Sequence, residues 1–218
     1  MQEDHPLKTK KTTRLPEGPA GTRGGDKYQR ILDAALEVIA ENGFFRSPVS
    51  AIAERADVAD GTIYLYFKSK DQILRTAIDV AFSRFFEQAR EELARTKGPT
   101  QQLRALARLH LETLAANRAL AVVMQTEVRQ SARFIAEFSR AHMVNYLNMM
   151  REIIRRGQQE GDYLPGLSDR TVAHCLVGAL DETVSSWVFT ERPFVPETTA
   201  NLILDVILSG IRTEQNHA

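Results

Sequence analysis

The side chains best suited to binding chemistry lie in one short run, residues 58–70, which reads VADGTIYLYFKSK. Thr62, Tyr64 and Tyr66 carry hydroxyls that can donate to phosphate oxygens. Gly61 leaves no side chain at the exposed start of the helix, so a base edge or phosphate can come close. Leu65 stands one step from Tyr64 on the outer surface, within reach of a thymine methyl. Lys70 opens the next helix, where its ammonium and the helix's N-terminal amides can meet a phosphate backbone together.

A second concentration of residues is apolar. Apart from Met1, the methionines are Met124, Met143, Met149 and Met150, and Phe134, Phe138, Tyr146, Leu147 and Ile153 share their region. Ordinary helix core explains such a set. Methionine also fills irregular space without fixing its shape, so the same set can line an adaptable cavity for a long apolar ligand. Arg129 and Arg133 stand beside it and can meet an anionic headgroup. The expected lining is therefore Met124, Arg129, Arg133, Phe134, Phe138, Met143, Tyr146 and Met150. The single tryptophan, Trp187, is expected between that cavity and the last helices.

Catalytic patterns are missing. His5, His110, His142, His174 and His217 show no metal-ligand pair at helical spacing, and no phosphate-binding glycine loop or nucleophile elbow occurs. Neither an enzyme nor a cofactor is expected. The one cysteine, Cys175, reads as a small core residue and permits no internal disulfide. The 218 residues are 43% hydrophobic and 26% charged with zero formal net charge, as in globular proteins, and a coat for nucleic acid at large is excluded. No apolar run reaches membrane-span length and no signal peptide is apparent, so a cytoplasmic location is the expectation.

The elements that must position these residues are all helices. Residues 1–25, rich in proline and glycine, form an expected disordered arm made basic by Lys8, Lys10, Lys11 and Arg14. From residue 26, Tyr28, Ile31, Leu32, Ala35, Val38 and Ile39 recur at helical spacing until Asn42-Gly43 ends the run. A short helix over 48–56, with Ser47 as its N-cap, and a turn at Asp57-Val58 precede the 58–70 run, which is the layout of a helix-turn-helix. Ala53 is small where the two helices cross, and Val58 and Ile63 plug them into Ile31, Ile39 and Ile52. Further helices are expected at 69–95, 100–117, 119–130, 132–159, 168–190 and 196–213. The fold class is all-α: a three-helix DNA-binding head over 26–72, a ligand-binding and dimerisation bundle over 73–213, and a tail over 214–218. Apolar stripes through Ala173, Leu176, Val177, Leu180, Val184, Trp187 and Val188, and through Leu202, Ile203, Val206, Ile207, Gly210 and Ile211, suggest a two-fold dimer on the last two helices.

The stretch VSAIAERADVADGTIYLYFKSKDQIL resembles the DNA-binding signature of the TetR family of transcriptional regulators. The resemblance implies that Ser47, Gly61, Thr62, Tyr64, Tyr66 and Lys70 face an operator. Two departures stand out: Asp57 replaces the usual turn glycine, and Ala59-Asp60 replaces a serine cap and basic residue. The head together with TEVRQS, residues 126–131, is similar to the FadR-type branch. That similarity implies a repressor bound as a dimer to a palindromic operator and released by a long-chain acyl-CoA or similar lipid. The other readings are an efflux regulator sensing a drug-like ligand and a constitutive DNA-binding dimer with no small-molecule input.

Overall fold

The computed structural model describes residues 22–129 and 140–212. The regular elements among the described residues are all helices, with one isolated backbone bridge between Tyr163 and Arg212. The order is α1 (Thr22–Asn42), α2 (Val49–Arg55), α3 (Asp60–Tyr66), α4 (Lys70–Arg95), α5 (Pro99–Ala116) and α6 (Arg118–Val123). After a widened turn over Met124–Val128 come α7 (Arg140–Glu160), α8 (Asp169–Thr190) and α9 (Pro196–Ser209).

Local chemistry sets most of the boundaries. Gly43, at φ +79°, takes the left-handed conformation after α1 and donates its N–H to the Ile39 carbonyl at 2.8 Å. Ser69 caps α4 by accepting from the Gln72 N–H at 3.2 Å, Asn117 caps α6 by accepting from Leu120 at 2.9 Å, and Ser168 caps α8. Pro99 occupies the first turn of α5.

Some expectations fail at the ends. The helix expected from residue 26 starts at Thr22, and the last one stops at Ser209. After Gly210 the chain turns back, so that the Ile211 carbonyl accepts from Leu164 N–H at 2.8 Å. The regular helix expected over 119–130 instead widens at Met124, where the N–H of Arg129 reaches the Met124 carbonyl five residues back at 3.0 Å. Of the helix expected over 132–159, residues 140–160 are described. The expected arm up to residue 21 and the tail from 213 lie outside the described residues.

Two apolar cores result. One is built by α1, α2, α3 and the first half of α4, with Ile31, Ile39, Ile52, Ala53, Ile63 and Phe67 buried and Val58 packed on their edge. The second is built by the far half of α4 with α5, α7, α8 and α9. α4 belongs to both: Ile73, Leu74, Ala77 and Ile78 enter the first, Phe85 and Ala89 the second. Leu120 and Val123 of α6 and Val128 after it are also buried in the head's core. The head is thus fused to the body through shared side chains rather than through a linker.

In the body, Gly157 of α7 lies flat under the ring of Tyr163, which is 1% exposed and shares a 3.0 Å hydrogen bond with Thr100. A Cβ at residue 157 would overlap that ring and press on Pro99. Gly157→Ala should cost roughly 2 kcal/mol or more despite its better helix propensity. Urea unfolding checks this, and equal or greater stability of the variant would contradict the packing.

Candidate DNA-binding face and effector cavity

α3 is presented by its own underside. Ile63 and Phe67 are 1% and 2% exposed in the head core, which turns Tyr64 and Leu65 outward at 60% and 82% exposure. Gly61 borders open space, and Thr62 is half-buried. Tyr66 is half-buried, edge-on to Tyr28 at 6.1 Å between ring centres. Asp60 lies in the first turn, where a carboxylate complements the helix dipole, but neither it nor Ala59 supplies a side-chain cap.

The turn before α3 tolerates Asp57 at φ 53° because α1 holds it. Arg30 donates to the Ala56 carbonyl, to the Asp57 carbonyl at 2.9 Å and to the Asp57 carboxylate at 3.2 Å. Arg55 of α2 pairs with Glu37 at 2.9 Å and Glu41 at 2.8 Å on α1.

Two residues expected at the operator are turned elsewhere. Ser47 is fully buried, and its hydroxyl donates to the Gly43 carbonyl at 2.7 Å and the Val38 carbonyl at 3.1 Å. It closes the end of α1 and does not cap α2, whose N-cap is Pro48. Lys70 sends its ammonium to the Phe44 carbonyl and over the Phe44 ring, 4.5 Å from the centroid. Burial lowers its pKa from the usual lysine range. Lys68, which sequence reading passed over, is exposed beside α3.

The body holds a cavity of about 300 Å³. Ile78, Ala81, Phe82 and Phe85 of α4 form one wall. Leu120, Met124 and Val128 form another, so side chains buried in the head's core also face the cavity. Thr113 and Leu114 of α5 and Met143 of α7 complete the apolar part.

One part of the wall is polar. His110 of α5 and Asp181 of α8 are 9% and 8% exposed. Tyr146 of α7 lies with its hydroxyl 3.1 Å from His110 Nδ1, and His110 Nε2 lies 3.6 Å from Asp181 Oδ1. Arg129 pairs with Asp181, and Ser185 donates to Gln125 Oε1 at 2.9 Å. Gln125, Val128 and Arg129, three and four residues apart within and just after the widened turn, all line the cavity. Such turns recur at functional sites because they rotate side chains out of helical register.

Of the residues named for the lining, Met124, Arg129, Met143 and Tyr146 face this cavity. Met150 does not: it is fully buried in the body core, away from the lining. Trp187 packs on Phe194 at 5.7 Å and under Arg118 at 5.7 Å, also off the cavity. Arg133, Phe134 and Phe138 lie outside the described residues. Cys175, expected in the core, is exposed on α8. Sequence reading missed Phe82, Phe85, His110, Gln125 and Asp181. A signal for two of them existed: His110 follows Leu103, Leu106 and Ala107 in the buried stripe of α5, and Asp181 interrupts Leu180 and Val184 in that of α8.

A helix-turn-helix head fused to a helical body with an internal cavity defines a DNA-binding regulator with a built-in chamber for a small molecule. Residues 31–77 match the family model for bacterial regulatory proteins of the tetR family, and residues 79–210 match that for the YsiA-like protein C-terminal region. The chain belongs to the TetR family. It is 37% identical to the fatty acid metabolism regulator protein of Bacillus subtilis (strain 168) over 188 residues, 86% of this chain and 97% of that one. The fatty acid degradation regulator FadR from Bacillus halodurans superposes with a TM-score of 0.79 at 34% identity, covering 84% of this chain and 95% of that one. FadR from Bacillus subtilis, solved in complex with stearoyl-CoA, superposes with a TM-score of 0.78 at 37% identity, covering 85% and 100%. No helix among the described residues is long and apolar enough to cross a membrane.

Burial lowers the pKa of His110 from its ordinary 6.5; Asp181 opposes the shift and Arg129 adds to it. Burial likewise pushes the Tyr146 hydroxyl well above its usual value, with Asp181 contributing. The folded protein thus holds His110 neutral, while an unfolded chain binds a proton there near pH 6.5. This contribution to stability is complete above that pH and is lost as pH falls below it. His110→Phe should therefore show a shallower loss of stability between pH 7 and pH 5.5 than the parent protein. Denaturant titrations across that range measure it, and parallel curves would mean that His110 is not held neutral by the fold.

Proposed function

We propose that this protein is a dimeric transcriptional repressor whose grip on operator DNA is released by a long-chain acyl-CoA. The observation that carries the reading is the double duty of Leu120 and Val128, which are buried in the head's core and also face the cavity. A ligand filling the cavity presses on the same side chains that set the head. A ligand that lowers DNA affinity must bind the DNA-free conformation better, and DNA lowers ligand affinity by the same factor. The acyl-CoA identity is supported by the stearoyl-CoA complex of the Bacillus subtilis relative and by a lining that is apolar over most of its area. A cationic drug is a poorer occupant, because Asp181 already pairs with Arg129.

On this reading the operator meets Gly61, Thr62, Tyr64, Leu65 and Tyr66, with Lys68 adding charge, in the cytoplasm where the DNA lies. The dimer forms on α8 and α9. Phe189, Val195, Leu202 and Val206 are 62%, 63%, 61% and 76% exposed there, an apolar face that a second copy would cover. Ile207 is half-buried against the body's own core, so Leu202 and Val206 report on the interface more cleanly.

DNA fragments selected by the protein from a random library supply an operator. Stearoyl-CoA should lower affinity for it at least tenfold, and acetyl-CoA at the same concentration should have almost no effect, since each buried methylene contributes about 0.8 kcal/mol. Equal potency of the two, or no release by either, overturns the acyl-CoA reading. Val206→Glu should sediment as a folded monomer and lose operator binding, because a carboxylate is costly to bury in an apolar interface. A dimer of unchanged affinity would place the interface elsewhere.

A further inference from the structure

Resting on the acyl-CoA reading, we infer that His110 reads the thioester carbonyl oxygen of the effector, which docks the thioester at the polar wall and sends the alkyl chain toward the DNA-binding head. His110 is more than nine-tenths buried and faces the cavity, yet its Nε2 has no hydrogen-bond partner. The nearest group, Asp181 Oδ1, is 3.6 Å away, too far for a hydrogen bond but close enough to choose the tautomer. A lone pair on Nε2 would face that carboxylate and be repelled. A proton on Nε2 is attracted, and the Tyr146 hydroxyl then donates to Nδ1 at 3.1 Å. His110 is left as a buried N–H donor, and a ligand acceptor oxygen satisfies it.

The surroundings set the orientation. Arg129, which lines the cavity and pairs with Asp181, is 44% exposed along its side chain, so its guanidinium links the polar wall to solvent. An anionic coenzyme moiety can remain outside beside this guanidinium. The guanidinium also offsets the Asp181 charge, so a carbonyl oxygen can approach His110. The apolar lining residues Ile78, Leu120 and Val128 belong to the head's core. A chain anchored at His110 therefore extends against the side chains that set the head. Asp181 and Tyr146 are positioning residues here: they fix the imidazole and its proton.

S-octadecyl-CoA, a thioether with the same chain and no carbonyl, isolates the contact. The parent protein should bind stearoyl-CoA about tenfold more tightly than the thioether, the effect of one hydrogen bond. His110→Phe should lose that preference while still binding the thioether, which also shows that the cavity persists. His110→Gln, which keeps a donor, should recover part of the preference and supplies the test if the Phe variant does not fold. Equal binding of the two ligands by the parent protein, or a preference that survives in either variant undiminished, overturns the assignment to His110 and leaves the acyl-CoA reading standing. Binding of neither ligand by the parent protein overturns the acyl-CoA reading itself.

Discussion

The structure depends on an apolar joint. Leu120, Val123 and Val128 leave the body and enter the core that α1, α2, α3 and the start of α4 build around Ile31, Ile52 and Ile63. Without that insertion the head would be a separate three-helix unit of small core, tethered by one helix. With it, the head's placement is a property of how α6 lies on α1. Close-packed cores do not deform continuously, so a disturbance of α6 is resolved by movement of whole elements rather than absorbed locally.

The widened turn after α6 gives the joint a second role. From this turn Val128 is buried in the head's core and also faces the cavity, which Gln125 and Arg129 line beside it. Glu127, in the same turn, lies against Gly43 at the end of α1, where a Cβ would come within 3.2 Å of its carboxylate. Cavity, turn and head therefore meet within a few residues of chain, and Ser47 and Lys70 hold the adjoining Phe44 segment in place.

The head was legible in the sequence because its information is local. Spacing identifies Ile31, Ile39, Ile52 and Ile63 as core and Gly43 as a helix stop, the resemblance marks Asp57 as standing where a turn glycine is usual, and their surroundings agree. Ser47 was placed at the operator by the resemblance and Lys70 by its position at a helix start, and only the path of the chain reveals that nearby carbonyls hold both. The cavity was half legible. Met124, Met143 and Tyr146 follow from composition, but Met150 and Trp187 share the same types and face elsewhere, since their direction depends on how α7 and α8 pack. His110 and Asp181 were missed because each was judged within its own helix. Their meaning arises only when α5 and α8 bring them together with Tyr146 and Arg129.

The membership of α4 in both cores has a mechanical consequence. Its 26 residues make one rod, roughly 39 Å long at the usual rise per residue. Phe82 and Phe85, on the cavity, stand near the rod's middle, and its near end carries the half of the head that follows α3. A tilt of about 5° at the cavity would sweep the near end through roughly 2 Å over the ~20 Å between them. Successive major-groove faces recur about every 34 Å, so the two reading heads of the proposed dimer would have little latitude for such a sweep before one of them left register. Length alone thus turns a displacement smaller than one methyl group into a mismatch with the pitch of the double helix.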